Sequence, residues 1–167
     1  MIKMIRLDER LIHGQVAIKW SRHLEVNRIV VIDESASKSE LIQKSLMMAA
    51  PNTVKVSIKD LESGLKILND ERSKPLKILV ICSSLEDLLI VAKQVPNIEL
   101  INVGNYGRLA RKKPGETRKR YGANLYLYDN ELEIINEINQ LGIKAVYQTI
   151  PDDNPDDLSN IVSQLKK

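Results

Sequence analysis

Arg28-Ile-Val-Val-Ile-Asp33 is apolar at four successive positions, without the alternation of a strand that has one wet face. A run this short and this rich in β-branched residues suits a strand covered on both sides, as in a parallel sheet. Comparable runs recur at 2–6, 54–58, 76–82, 98–103, 125–128 and 143–147. Segments with helical spacing lie between them, at 14–22, 38–50, 61–69, 85–95, 131–141 and 155–165. Pro51 and Pro96 stand just beyond two of these helices, Gly142 follows another, and Ser37 or Ser39 can cap the second. The alternation, with no linker or internal repeat, predicts an α/β fold. We expect a single doubly wound, mainly parallel sheet of about seven strands with helices on both faces, forming one domain over 1–167. Ligands in such sheets gather at the C-terminal strand ends where strand order reverses. Three stretches qualify: the loop after the first strand, Cys82-Ser-Ser84, and Gly104-Asn-Tyr-Gly-Arg108.

Composition narrows the chemistry. Phe is absent and aromatic residues make up 4%, so the core has to be built from Ile, Leu and Val. The single cysteine, Cys82, excludes an internal disulfide and a thiolate-rich metal site, and its place at a strand end reads as a buried thiol. No apolar run approaches the roughly 20 residues of a membrane span, and the first residues lack a signal peptide's apolar segment, so a cytoplasmic protein is expected. Charge is uneven. Between Gly104 and Ala123 seven cations face one acid, Glu116, so that segment carries +6 in a chain whose total is +3, leaving −3 elsewhere. The basicity belongs to one loop, expected to run without regular structure to about Gly122, and not to a continuous nucleic-acid-binding face. Tyr106, Tyr121, Tyr126 and Tyr128 form no base-stacking set by spacing; the last pair alternates as a strand does. The acidic stretch Pro151-Asp-Asp-Asn-Pro-Asp-Asp157 reads as a turn leading into the last helix.

The densest polar chemistry lies in Arg6-Leu-Asp-Glu-Arg-Leu-Ile-His-Gly-Gln15, between the first strand and first helix. His13 falls where that helix begins, and the positive end of a helix favours the neutral, nucleophilic imidazole. Arg10 offers a planar, permanently charged fork suited to phosphate oxygens. Asp8 either orients Arg10 or fixes the histidine tautomer. Gly14 lets a bulky group approach the backbone, and Gln15 donates to an oxygen or to the main chain. Ser84 and Arg108, at two other strand ends, are further candidates for a phosphoryl group, and Gly104 and Gly107 permit close backbone approach. A second reading stands beside this one: His13 on the surface, with Arg10 paired to Asp8 or Glu9. His23, at the end of the helix, reads as a surface or capping residue. With no further His, Cys or carboxylate at ligand spacing, no metal site is expected. The glycine spacing matches neither a Walker loop nor a dinucleotide fingerprint.

Arg6-Leu-Asp-Glu-Arg-Leu-Ile-His-Gly-Gln-Val16, followed by Trp20, resembles the N-terminal signature of IIB components of the mannose/fructose/sorbose family of the sugar phosphotransferase system. Val30-Val-Ile-Asp-Glu34, Met48-Ala-Ala-Pro51, Val54-Lys-Val-Ser57 and Ile101-Asn-Val-Gly104 resemble later segments of that family in the same order. The resemblance spans essentially the whole chain. It implies a cytosolic phosphotransferase component with a parallel α/β sheet that needs neither metal nor nucleotide. By position, His13 is the phosphorylated residue and Arg10 the phosphate-binding arginine. The implied partners are a IIA phosphocarrier and the membrane IIC/IID complex with its bound sugar, where the chain docks at the inner face of the membrane; a homodimer is also compatible. One segment departs from the pattern. Many members place a histidine soon after Asn-Val-Gly, whereas this chain continues Asn105-Tyr-Gly-Arg108 into a long basic loop. A different class, a regulatory module binding a partner or nucleic acid through 108–120 without turnover, is the competing expectation.

Overall fold

Val30 and Ile32 pack into one layer of the core and Ile29 and Val31 into the other, so the run that is apolar at every position is covered on both faces. The next strand in space repeats this, with Ile78, Val80 and Cys82 on one side and Leu79 and Ile81 on the other. Each fully buried aliphatic side chain of this kind contributes about 1.5–3 kcal/mol. The computed structural model describes residues 1–163. In chain order its elements are β1 (Ile2–Asp8), α1 (Gly14–His23), β2 (Arg28–Ile32), α2 (Glu34–Ser37), α3 (Glu40–Ala49), β3 (Lys55–Lys59), α4 (Leu61–Leu68), a 3-10 turn at Glu71–Ser73, β4 (Ile78–Cys82) and α5 (Leu85–Gln94). They continue as β5 (Ile101–Asn105), β6 (Lys119–Gly122), β7 (Leu125–Leu127), α6 (Asp129–Gln140), β8 (Ala145–Tyr147), β9 (Asp156–Asp157) and α7 (Leu158–Ser163).

Among the described residues the main sheet has seven strands in the order β3-β2-β4-β1-β5-β8-β9, all parallel except β9. The α1 face is filled by Ala17, Trp20, Ala36 and Leu46; the opposite face by side chains from α4 to α7 such as Leu68, Leu88, Ile135 and Ile161. Strand β1 lies between β4 and β5, so the chain leaves it toward one edge and later returns to build the other. The crevice this reversal creates is where ligands collect in open α/β sheets. The β1–β5 register slips between Leu7 and Asp8, which sets Asp8 opposite Asn105.

The predicted sheet of about seven strands is observed, with changes in membership. The run at 125–128 forms β7, but it pairs antiparallel with β6, drawn from the loop expected to lack regular structure. Backbone bonds from Tyr106 N to Asn124 O and from Tyr126 N to Tyr106 O, both 2.9 Å, hold this hairpin against the end of β5. The seventh place in the main sheet goes to β9, two acidic residues that pair with β8 and leave a short, charged edge. The helix expected over 38–50 is α3, capped by Ser39 through Ile42 N (3.3 Å), and a further short helix, α2, precedes it, capped by Asp33 through Ala36 N (2.7 Å). The last helix starts at Leu158, where Asp157 accepts from Ser159 N, and position 165 lies outside the described residues.

Arg6 interrupts the apolar strand β1. Its guanidinium lies in the α1-side layer, 5.6 Å from the Trp20 ring centroid, and is 2% exposed. It fits because the neighbouring strand has Gly104 beside it: a Cβ built there falls inside the guanidinium. Gly104→Ala therefore forces a buried, fully bonded side chain aside, and we expect it to lower unfolding free energy by about 2 kcal/mol. Urea denaturation measures this; an unchanged midpoint would show that Arg6 has room to move.

Candidate functional site

Burying a guanidinium is costly unless its donors are satisfied and its charge matched. Arg6 donates to Asp8 Oδ2 (2.9 Å), to Asn102 Oδ1 and to Gln148 O (3.2 Å), linking β1, β5 and the segment after β8. Asn102 also donates to Gln148 O at 3.1 Å, and Trp20 Nε1 donates to Thr149 O at 3.0 Å. Asp8, fully buried, thus starts with one oxygen committed to a cation. Its other oxygen accepts the Arg10 N–H at 3.1 Å, and its backbone carbonyl accepts from Leu11 N at 3.0 Å. With Leu11 at φ +58, this turn delivers His13 to the N-cap position of α1 in an extended conformation.

His13 Nε2 lies 3.1 Å from Asp8 Oδ2. A carboxylate only accepts, so Nε2 carries the proton and the lone pair is on Nδ1, which has no partner among the described residues. Of the two partners considered for Asp8, its side chain meets the imidazole through Oδ2 and, through Oδ1, the backbone N–H of Arg10, not the Arg10 side chain. Burial by itself would raise the Asp8 carboxyl. The hydrogen bond from His13, the Arg6 charge and the Arg10 N–H outweigh it, and the group sits below the ordinary carboxylate value.

Asp8, Arg10, His13 and Arg108 line one cavity of about 290 Å³ at the C-terminal end of β1, together with Glu9 and Thr149. Arg10 is exposed there. Arg108 is anchored by Asn124 Oδ1 (3.2 Å) and Ala123 O (2.9 Å), with its guanidinium 5.3 Å from the Tyr126 ring centroid. Gly14 (φ +46) and Gln15 open α1 on the exposed surface beside His13 and outside that lining; open space surrounds the position of a Gly14 Cβ. Ser84 is not brought to His13. Its hydroxyl caps α5 by accepting from Asp87 N (3.2 Å), and it lines a separate cleft of about 920 Å³ with Asp33, Ser83 and Arg118. His23 is exposed at the end of α1, edge-on to Trp20. Cys82 is buried, and burial, with Asp87 nearby, pushes its thiol well up.

Arg6, Glu9 and Asn102 are the site residues that motif reading passed over. A cation inside an apolar strand and an amide inside Ile101-Asn-Val103 were the available signals. Two of the three glycines expected to admit a ligand instead admit protein: Gly104 faces Arg6, and Gly107 (φ +104) lies against the carbonyl of Tyr126. The basic loop is likewise tied down. Arg118 pairs with Glu131 Oε1 at 2.8 Å, with both side chains buried, and lies 4.2 Å from the Tyr128 ring centroid. Lys113 Nζ reaches Asn130 and lies over the same tyrosine.

Because the Asp8 carboxyl is held below its ordinary value, the stability it contributes is complete above about pH 4 and is lost as pH falls through the lowered value. Asp8→Asn leaves Arg6 buried without a counter-charge, and we expect a loss of about 3 kcal/mol at pH 7. The gap between the two proteins should narrow as pH falls below about 4, where Asp8 of the unfolded chain takes up a proton, and should close as pH passes through the lowered value of the folded carboxyl. Denaturant titrations at pH 7 and pH 3 check this; a gap independent of pH would mean that the carboxylate charge is not what Arg6 requires.

Residues 2–167 match the family described as PTS system sorbose subfamily IIB component. A probable phosphotransferase enzyme IIB component of Streptococcus pyogenes serotype M6 is 36% identical over 98% of this chain and 100% of its own length. The mannose-specific EIIAB component of Escherichia coli K12 is 23% identical over the whole of this chain, which spans 50% of that larger protein. In three dimensions the crystal structure of the IIBSor domain of the Klebsiella pneumoniae sorbose permease superposes with a TM-score of 0.87. It covers 98% of this chain and 97% of its own, at 23% identity, a likeness of fold. The strand-end histidine site and the sheet that holds it thus stand on a chain that belongs to the sorbose-subfamily IIB components of the sugar phosphotransferase system.

Proposed function

We propose that this chain carries a phosphoryl group on Nδ1 of His13, receiving it from a phosphohistidine on a IIA carrier and passing it to a sugar held by a membrane IIC/IID complex. The observation that supports this most directly is the 3.1 Å contact of Nε2 with Asp8, which leaves a lone pair on the outer nitrogen at the mouth of a cavity. Membership of the IIB family supports phosphoryl transfer in sugar uptake, and the match to part of an EIIAB protein supports a IIA carrier as donor. Work beside a membrane partner from the cytoplasmic side follows from the same reading; no described helix is long and apolar enough to cross a bilayer.

The step balances with imidazoles alone. Nδ1 attacks phosphorus in line as the bond from phosphorus to the donor's ring nitrogen breaks, and the donor leaves as neutral imidazole. His13, still protonated on Nε2, becomes an N-phosphoryl imidazolium. The Asp8 carboxylate offsets that positive ring without taking a proton. When a sugar oxygen attacks phosphorus, the N–P bond breaks, the ring returns to neutral and the hydroxyl proton leaves to a base at the acceptor. Arg10 and Arg108 stand at the same cavity for the phosphoryl oxygens, and such transfer depends mainly on positioning and fixed charge. The competing reading of 108–120 as a nucleic-acid module gains nothing from the tyrosines beside the loop, since Tyr126 and Tyr128 stack against the loop's own cations.

His13→Ala should take up no acid-labile, base-stable label from phosphorylated IIA while keeping its fold by circular dichroism. Full labelling of that variant would end the proposal. Arg10→Lys keeps the charge and loses the planar fork; we expect it to fold normally and to accept phosphate about 10- to 100-fold more slowly in rapid-quench assays. An unchanged rate would remove Arg10 from the reacting centre.

A further inference from the structure

Glu9 follows the buried Asp8 directly, yet its carboxylate is bound by the loop after β5. Four consecutive backbone N–H groups converge on it: Gly107 at 2.8 Å, Arg108 at 3.1 Å, Leu109 at 2.9 Å and Ala110 at 3.2 Å. Successive N–H groups arranged in this way form an anion-binding concavity, and hydrogen bonds to a charged acceptor are the strong ones. Here the anion is a side chain of the protein. Glu9 is itself fixed, its own N–H donating to Asn105 O at 2.9 Å. Arg118 holds the carbonyls of the same segment, donating to Ala110 O (3.1 Å) and Arg111 O (2.9 Å). The start of the basic loop is therefore gripped from two sides. Glu9 takes its donors, Arg118 takes its acceptors, and Glu131 in turn holds Arg118.

The segment so gripped forms one wall of the His13 cavity. Arg108 and Leu109 line it, and Leu109 is 71% exposed, the large apolar side chain that this wall shows to solvent. We propose that Glu9 is a positioning residue: its carboxylate clasps residues 107–110 to the end of β1 and thereby sets the distance between His13 and the surface that a phosphorylated carrier protein must meet. The proposal rests on His13 as the phosphate acceptor and adds a determinant of carrier docking. Glu9 touches no reacting atom. Its effect travels through the loop, so its loss should weaken the encounter with the carrier and leave the chemistry at Nδ1 largely intact.

Two variants test this. Glu9→Gln is nearly isosteric and removes the charge; Glu9→Ala removes the acceptor altogether. Amide hydrogen exchange of residues 107–110 should rise about tenfold or more in Glu9→Ala, with β1 and β4 unchanged, because local opening and not global unfolding is altered. In steady-state transfer from phosphorylated IIA, KM should rise about tenfold while kcat changes less than about threefold. Glu9→Gln should show the same signs at smaller size and serves if Glu9→Ala does not fold. Unaltered exchange at 107–110 would overturn the clasp. Faster exchange with an unchanged KM would overturn its role in docking, and a fall in kcat alone would place Glu9 at the reacting centre instead. Failure of the underlying reading looks different: wild-type protein would then accept no phosphate from IIA, and the exchange measurement would still uphold or sink the clasp.

Discussion

A guanidinium inside a β-strand is the constraint from which the rest of this site follows. Arg6 has aliphatic neighbours on both sides along β1, and its charge cannot be left bare at 2% exposure. Three acceptors meet it, from Asp8, Asn102 and Gln148, and each comes from a different stretch of chain. Burying such a pair contributes little net stability by itself, because two desolvation costs offset most of the attraction. What it confers is position. Asp8 must sit at the end of β1 with one oxygen toward Arg6, and that same oxygen is the one facing His13. Gly104 is the geometric counterpart: the strand beside Arg6 must lack a Cβ.

Seen this way, the sheet serves the pair as much as the reverse. With β4 and β5 on its two sides, β1 lies at the centre of the sheet and Asp8 at the mouth of the crevice where strand order reverses. The register slip at Leu7/Asp8 brings Asn105 opposite Asp8, and Asn105 then holds Glu9 through its carbonyl. Two neighbouring carboxylates thus do separate jobs because the strand ends between them: Asp8, the last residue of β1, meets a cation and an imidazole, and Glu9, in the turn that follows, meets loop amides.

Much of this was legible in the chain. Apolar runs without alternation announced a parallel sheet, and the cluster from Arg6 to Gln15 announced where polar chemistry would gather. Asp8, Arg10, His13 and Arg108 do share one cavity. What could not be read was long-range pairing. Whether Asp8 turns to Arg10 or to His13 depends on Arg6, the last residue of the expected first strand, whose burial and distant partners no local pattern announces. Ser84 stood at a strand end as the rule for ligand sites requires, yet a helix cap had prior claim on its hydroxyl. The loop at 105–120 looked free because its cations outnumbered its acids within the segment. Its acceptors, Glu9 and Glu131, lie outside that window, and no local count of charge finds them. Of the hairpin, the strand at 125–128 is legible and its partner is not: no residue of β6 is fully buried, so that segment carries no apolar pattern.

On the proposed reading, the same division of charge bears on how firmly the phosphoryl group is held. Phosphorylation of His13 creates two charges, a positive ring and a negative phosphoryl group. The ring is met by Asp8, buried, fixed and little screened by salt. The phosphoryl group is met by Arg10 and Arg108, both exposed, whose attraction water and salt attenuate. A carrier needs that asymmetry. Every ~1.4 kcal/mol of excess hold on the phosphoryl group shifts the transfer equilibrium tenfold against release. A carboxylate that holds the ring proton on Nε2 lets the ring leave as neutral imidazole when the N–P bond breaks, and it does not grip the oxygens that must depart. Burying an arginine against the phosphate would invert the balance and turn a relay into a trap; the buried guanidinium nearest this site is Arg6, and it faces Asp8.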